Sequence, residues 1–336
     1  MSDASTSPPF IPPPLPGIHG NSTYMNFEFS FLTLPALLLF VPIIYMPVTI
    51  IIILRIFVKL LYAVKDKNVN VPLFSAICIA QFMCLLFFVC DYVYLRMMTA
   101  GVFTKWCANV NPNGYLIILY VMTYYVNYAT MLFPFLVSSM RIVLFVFPQR
   151  HSKINAMILR TALPIIFIYP WFSLFFMVTA TGYCTQAKGP YPFGSVILGF
   201  QGSLFGLRNG MFLLGNNLFW MSATVINNLI LLVKLIHLKT SLSIHARSQK
   251  SHKAEVSLTF TTFSMIFSYL SNSMVVITNQ LGGDLTWYAI MLRPFGNDLE
   301  TCVVPWVFYL THPVFRRKSV GVIPVLQRDK INFTPP

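Results

Sequence analysis

The sequence predicts an all-α membrane protein, a bundle of seven transmembrane helices with its N-terminus outside and its C-terminus in the cytoplasm. Three observations carry that prediction. Hydrophobic residues make up 56% of the 336 and charged residues only 10%, where a globular domain carries about a quarter charged. Apolar stretches recur from residue 31 to residue 310 with short polar segments between them, which leaves no room for a separate soluble domain. The basic residues also sort to one side. With the N-terminus outside, all 23 Lys and Arg except Arg96, Lys105, Lys188, Arg208 and Arg293 fall on the cytoplasmic side, as membrane insertion favours. That sorting explains the formal net charge of +14 and requires no nucleic-acid partner.

Residues 1–30 form an outer tail with no Lys or Arg and many prolines between Pro8 and Pro16. A signal peptide needs a basic start and an early apolar run, and this tail has neither. Asn21-Ser22-Thr23 fits the N-glycosylation acceptor pattern. The spans expected are 31–53, 71–90, 114–140, 157–179, 211–236, 256–278 and 285–309, followed by a cytoplasmic tail over 311–336. Asp91 and Arg96 close the second span in this reading. Phe193–Leu207 is apolar but Gly-rich, and its 15 residues fall short of the ~20 a spanning helix needs. It reads as an outer loop folding back onto the bundle. Counting it as an eighth span would turn the basic stretch 239–253 outward, so the division holds at seven. No internal repeat is visible, which weakens transporter folds built from duplicated halves.

The stretch from Trp287 to Lys318 stands out because its apolar run carries Arg293, Asp298 and Glu300 and ends in Arg316-Arg317-Lys318. Ionisable groups inside a membrane span mark functional helices. Arg293 and Glu300 are seven apart and share a face, whereas Asp298 points about 140° away from Arg293. Asp298 is therefore expected to find its partner on a neighbouring span, among the Asn and Tyr residues of spans three and five. Of the six cysteines, Cys78, Cys84 and Cys90 are spaced six apart and so point in three directions, roughly 120° apart, around one helix. They read, with Cys302, as small buried hydrophobes.

Seven uncleaved spans in this orientation resemble a G-protein-coupled receptor. Against that pattern, Cys107 lies just before span three and Cys184 in the second outer loop, where a disulfide would tie the loop over the bundle in an oxidising compartment. Two unpaired loop thiols are the alternative. Arg141 lies 27 residues after Gly114, roughly 40 Å along a helix, hence at the cytoplasmic mouth. That is the position of the arginine in the Asp-Arg-Tyr motif, but here the chain reads Ser139-Met140-Arg141-Ile142, without the acid. An ordinary cytoplasmic arginine is the equal alternative. Pro305-Trp-Val-Phe-Tyr309 is one residue longer than Asn-Pro-x-x-Tyr and lacks the Asn, and span six has no proline. The chain therefore departs from the rhodopsin-like pattern.

The stretch Met291-Leu-Arg-Pro-Phe-Gly-Asn-Asp-Leu-Glu-Thr-Cys-Val-Val-Pro-Trp-Val-Phe-Tyr-Leu-Thr-His-Pro-Val-Phe315 resembles the seventh-span signature of nematode serpentine chemoreceptors. Ile18-His-Gly-Asn-Ser-Thr-Tyr24 leading to Phe31-Leu-Thr-Leu-Pro35 resembles class U of the class gamma superfamily. The resemblance implies a non-enzymatic chemosensory receptor in the plasma membrane of sensory cilia. Such a receptor binds an environmental or pheromone-like small molecule and signals to a heterotrimeric G protein, with no cofactor or metal.

A ligand cavity is expected between spans three, five, six and seven, lined by Tyr124, Tyr125, Asn127, Asn216 and Asn217, with Arg293 and Asp298 from span seven. Interhelical hydrogen bonding is the plainer role for the same residues. The G-protein-facing set is Arg141, Arg150, Lys153, Arg247, Lys250 and Lys253, for which topology and anionic-lipid attraction suffice as an alternative. An ion channel or transporter would use the charges of span seven as a pathway, but only that span carries them in this reading. A membrane hydrolase would need His at matching depth, and no His lies within a span except near a cytoplasmic end.

Overall fold

In hydrocarbon the backbone has no water to bond, so each segment must satisfy its own N–H and C=O groups, and a helix does so locally. The computed structural model describes residues 17–63, 70–241, 266–311 and Phe315. Seven long helices occur among them: α1 Leu34–Ala63, α2 Val71–Asp91, α3 Gly114–Val146, α4 His151–Leu174, α5 Asn209–Ser241, α6 Ile266–Leu281 and α7 Leu285–Thr311. Five, α1 to α5, are long and apolar enough to cross a membrane. α7 has the length but carries three charged side chains, and part of the span expected over 256–278 lies outside the described residues.

Several starts are written locally. Asn70 caps α2 by accepting from the Leu73 N–H at 3.3 Å, with Pro72 in the first turn, and Asn113 caps α3 by accepting from Leu116 N–H at 3.0 Å. Proline at the first turn forfeits no helical hydrogen bond. The helices outrun the apolar windows: α3 continues past residue 140 to Val146, and α4 starts at His151, not at residue 157. Hydropathy marks only the part of a helix that lipid or core covers, whereas the backbone bonds continue beyond it.

α3 is the hub. It packs on α2, α4 and α5 and buries both large residues, such as Tyr128 and Phe133, and small ones, such as Ala129 and Ser138. α1 and α5 bury little of their surface, and large apolar residues such as Ile44 and Phe219 are exposed on them. Such a surface suits lipid, not water. α2 and α7 run antiparallel, shown by Phe74 against Phe308 at a centroid distance of 5.4 Å and by Cys84 Sγ within 3.9 Å of Glu300 Oε1.

One end of the bundle carries a cap. The region expected as a folded-back loop is an antiparallel hairpin, β1 Thr181–Gln186 with β2 Val196–Gln201, in a register that pairs Cys184 with Leu198. Gly182 lets the hairpin press on the start of α3, because a Cβ there would meet Leu116 Cβ at 2.7 Å and Ile117 N at 2.8 Å. Cys184 is disulfide-bonded to Cys107 in the short helix Thr104–Asn109. The segment after residue 16 lies over the same end, with Ile18 N–H donating to Cys184 O at 3.0 Å. Asn21 is exposed there and caps the turn Ser22–Met25.

Candidate functional site

The second helix does not stop at Asp91. It continues through a π-helical turn, Tyr92–Met97, so Asp91 and Arg96 are not the outer closure of a span but buried members of the bundle, 2% and 7% exposed. This corrects the reading of Asp91 and Arg96 as the close of the second span. The turn also sets their direction. Residues five apart point about 140° apart on an α-helix, whereas i→i+5 bonding brings the fifth residue back over the first. Asp91 and Arg96 therefore both face the seam with α7.

α7 supplies the opposite order of charges at the same spacing, Arg293 then Asp298. Arg293 Nη2 donates to Asp91 Oδ1 at 2.6 Å, and Arg96 Nη2 meets Asp298 Oδ2 at 2.6 Å. Asp91 and Arg293 lie level across the antiparallel seam, while Arg96 sits nearer the cap and Asp298 nearer the other end. Side chains tilt toward the N-terminus of their own helix, so Arg96 leans away from the cap and Asp298 leans toward it, and the two close on each other. All four charges are thereby neutralised in pairs, which is the condition under which buried charge is tolerable.

Each pair has aromatic and polar walls. Tyr45 of α1 donates from its hydroxyl to Asp298 Oδ2. The Arg96 guanidinium lies 5.5 Å from the Phe295 ring centroid and 5.7 Å from that of Phe88. Arg293 lies 5.8 Å from the Tyr124 ring, itself packed at a tilt against Tyr120 with centroids 4.5 Å apart. Tyr191, between the two strands, is buried beside this cluster, and burial pushes its phenol up, so it stays neutral. Glu300, the remaining acid of α7, is buried toward Cys84 on α2.

The residues expected to line one ligand cavity are distributed. Tyr124 and Arg293 come together, and Asp298 does not join them. Its partners are Arg96 and Tyr45, not the Asn and Tyr side chains anticipated. Tyr125 turns to α4, donating to Phe167 O at 2.7 Å, and Asn216 also faces α4, accepting from the Tyr169 hydroxyl and donating to Ser173 Oγ at 3.4 Å. Asn127 and Asn217 are buried, and neither side chain has a hydrogen-bond partner among the described residues. A cavity of about 30 Å3 lies between α1, α2, α7 and Tyr191, and an open groove of about 620 Å3 lies farther along the α1–α7 seam, reaching Tyr45 and Asp298.

At the other end, Arg150 and Lys153 are exposed at the α3–α4 turn, whereas Arg141 is buried. Asn227 of α5 braces the strip beside Arg141, donating to Ser138 Oγ at 3.2 Å and Ser139 Oγ at 2.8 Å. Arg247, Lys250 and Lys253 lie outside the described residues. Sequence reading missed Asp91, Arg96 and Tyr45 as site residues. The usable signal was the pair of opposite charges on span two at the five-residue spacing of Arg293 and Asp298.

Long apolar helices closed around paired buried charges define a multi-pass membrane protein. The chain belongs to the Sru family, matching the family described as Serpentine type 7TM GPCR chemoreceptor Sru over residues 18–318. It is 55% identical over 271 residues to Serpentine receptor class U-26 of Caenorhabditis elegans, a match that covers 81% of this chain and 93% of that protein. The resemblance of the seventh span to the serpentine chemoreceptors, and of the start to class U, thus holds for most of the chain.

Proposed function

We propose that this protein is a chemosensory G-protein-coupled receptor that binds an environmental or pheromone-like small molecule and signals to a heterotrimeric G protein. The two interlocked ion pairs between α2 and α7 carry the reading, with family membership behind them. Helices locked by discrete charge pairs have two arrangements, paired and re-paired, and a ligand that prefers one shifts the population. The capped end, with its disulfide and the exposed Asn21, faces outside, where disulfides persist. The opposite end, with Arg150, Lys153 and the basic stretch holding Arg247, Lys250 and Lys253, faces the cytoplasm and the G protein. Arg141 joins that surface when α5 and α3 part at Asn227. Residues 1–30 form the outer tail, 31–310 the seven-span bundle and 311–336 the cytoplasmic tail, in a plasma membrane of sensory cilium type.

A channel or transporter remains the competing class, now with charges on two helices. Against it, each of the four charges has its counter-ion at 2.6 Å, so a passing ion would have to break a pair. Guanine-nucleotide exchange by a heterotrimeric G protein, driven by the reconstituted chain, tests the receptor reading. Solute flux without such exchange would sink it.

A further inference from the structure

α4 and α5 part into an open groove of about 350 Å3, lined by Tyr169 of α4 and by Met211, Phe212, Gly215, Asn216 and Phe219 of α5. Their sequence neighbours Ile168 and Leu218 are exposed apolar residues, so the groove opens on the lipid-facing side. Two polar side chains line it, Tyr169 and Asn216, and both are half-buried. The Tyr169 hydroxyl donates to Asn216 Oδ1 and accepts from Trp220 Nε1 at 3.3 Å. Asn216 Nδ2 donates to Phe212 O at 2.7 Å and to Ser173 Oγ at 3.4 Å. These bonds engage the donors of Tyr169, Asn216 and the Trp220 indole. An amide oxygen has two lone pairs, so Asn216 Oδ1 keeps one acceptor position at a groove wall. An acyl chain lying there would leave it without a donor. Gly215 makes the space, since a Cβ at this position would meet nothing within 4 Å.

Charge and depth narrow the occupant. The chain has no Asp or Glu between Asp91 and Glu255, so neither α4 nor α5 offers a counter-ion to a cation. An anion would need a free donor, and those at the groove are engaged. A neutral hydroxyl supplies the missing donor and adds no charge. Asn216 lies seven residues into α5, roughly 10 Å from its capped end, and Tyr169, Trp220 and the exposed Trp171 gather around it. Trp and Tyr collect where hydrocarbon meets the polar layer of a bilayer, which is where a lipid with a single hydroxyl carries that group. The groove is shallow and gives contact to one face only. A flexible chain held there pays for its ordering, whereas a fused-ring body pays little. We propose that the α4–α5 groove binds a membrane sterol. Its hydroxyl donates to Asn216 Oδ1, and one flat ring face lies over Gly215 between Phe212 and Phe219, with the other face left to lipid. The occupant is a membrane lipid and not the sensed molecule, so the inference stands apart from the receptor reading.

The test uses the full chain in lipid nanodiscs and a photoreactive cholesterol carrying a diazirine on its second ring, with the labelled peptides mapped by mass spectrometry. Labelling is expected on the segments that line the groove, around Tyr169 and from Met211 to Phe219. Excess cholesterol should compete, whereas cholesterol methyl ether, which cannot donate, and cholestane, which has no hydroxyl, should not. Gly215→Leu fills the groove without displacing a neighbour and should cut labelling there about tenfold or more, the equivalent of roughly one hydrogen bond. Asn216→Leu should abolish the preference for cholesterol over its methyl ether. Where Asn216→Leu does not fold, Gly215→Leu decides alone. Labelling spread evenly over the lipid-facing helices, equal competition by the methyl ether, or unchanged labelling in Gly215→Leu would overturn the site. Competition by 1-dodecanol as strong as that by cholesterol would overturn the assignment to a sterol.

Discussion

Replacing Asp298 by asparagine leaves the Arg96 guanidinium buried and charged, with the Pro294 carbonyl as its remaining strong acceptor. Removing one partner of a buried pair costs about 3–5 kcal/mol, most of it the uncompensated charge. The lower end applies here, because the introduced amide can still accept through its oxygen and Phe88 and Phe295 still flank the cation. The reverse change, Arg96→Met, should cost less, since the orphaned Asp298 can take up a proton and go neutral while keeping Tyr45 as a neighbour; an arginine has no such escape. The double variant removes both charges and should come within about 1 kcal/mol of wild type, because apolar replacement of a buried pair is often neutral. Thermal unfolding of the purified chain, followed with a thiol-reactive fluorophore, reads this cycle, since Cys78 and Cys84 are buried until the bundle opens. A double variant as unstable as the sum of the singles, with coupling below about 0.5 kcal/mol, would refute the assignment of the pair as a coupled unit. The same cycle on Asp91 and Arg293 should behave alike.

Three other expectations concern the cap. Cys107→Ser and Cys184→Ser should each lower surface delivery in expressing cells, through the loss of about 2–4 kcal/mol from an opened disulfide, and normal delivery of both would argue against a structural bridge. Asn21→Gln should remove a glycosidase-sensitive mobility shift seen on gels of the wild type; absence of any such shift in wild type would place this end inside or leave the motif unused. Gly194→Ala should loosen the cap by about 2 kcal/mol, because Gly194 has φ +90° and a Cβ there would fall 2.0 Å from Phe27 Cε2. Limited proteolysis of the N-terminal segment reads that loosening, and an unchanged cleavage rate would show that Phe27 does not anchor it.

The sequence made the helices legible because apolar length is what a bilayer selects, and the charges of α7 were conspicuous against that background. Their partners were hidden by the same logic. Asp91 and Arg96 follow an apolar run, and charge after an apolar run reads as its end; a π turn leaves no trace in hydropathy, although it is what returns Arg96 to the face of Asp91. Tyr45 was hidden as the single tyrosine of a largely aliphatic first span. The hairpin was obscured because Gly182 and Gly199, which let it press on α3 and make room for the cross-strand Tyr183 ring, read as loop residues. Spacing along α7 did place Asp298 away from Arg293, and the structure honours that: the two reach different neighbours, Arg96 and Asp91. What spacing could not supply is depth on the facing helix, which depends on the tilt of both side chains and the register of α2 against α7.

The most direct measurement is nucleotide exchange on a heterotrimeric G protein by this chain reconstituted in vesicles, with solute flux recorded in the same preparation. The account predicts exchange above that of empty vesicles, altered in Asp298→Asn, with no accompanying flux. Flux without exchange, lost when the α2–α7 pairs are neutralised, would contradict it.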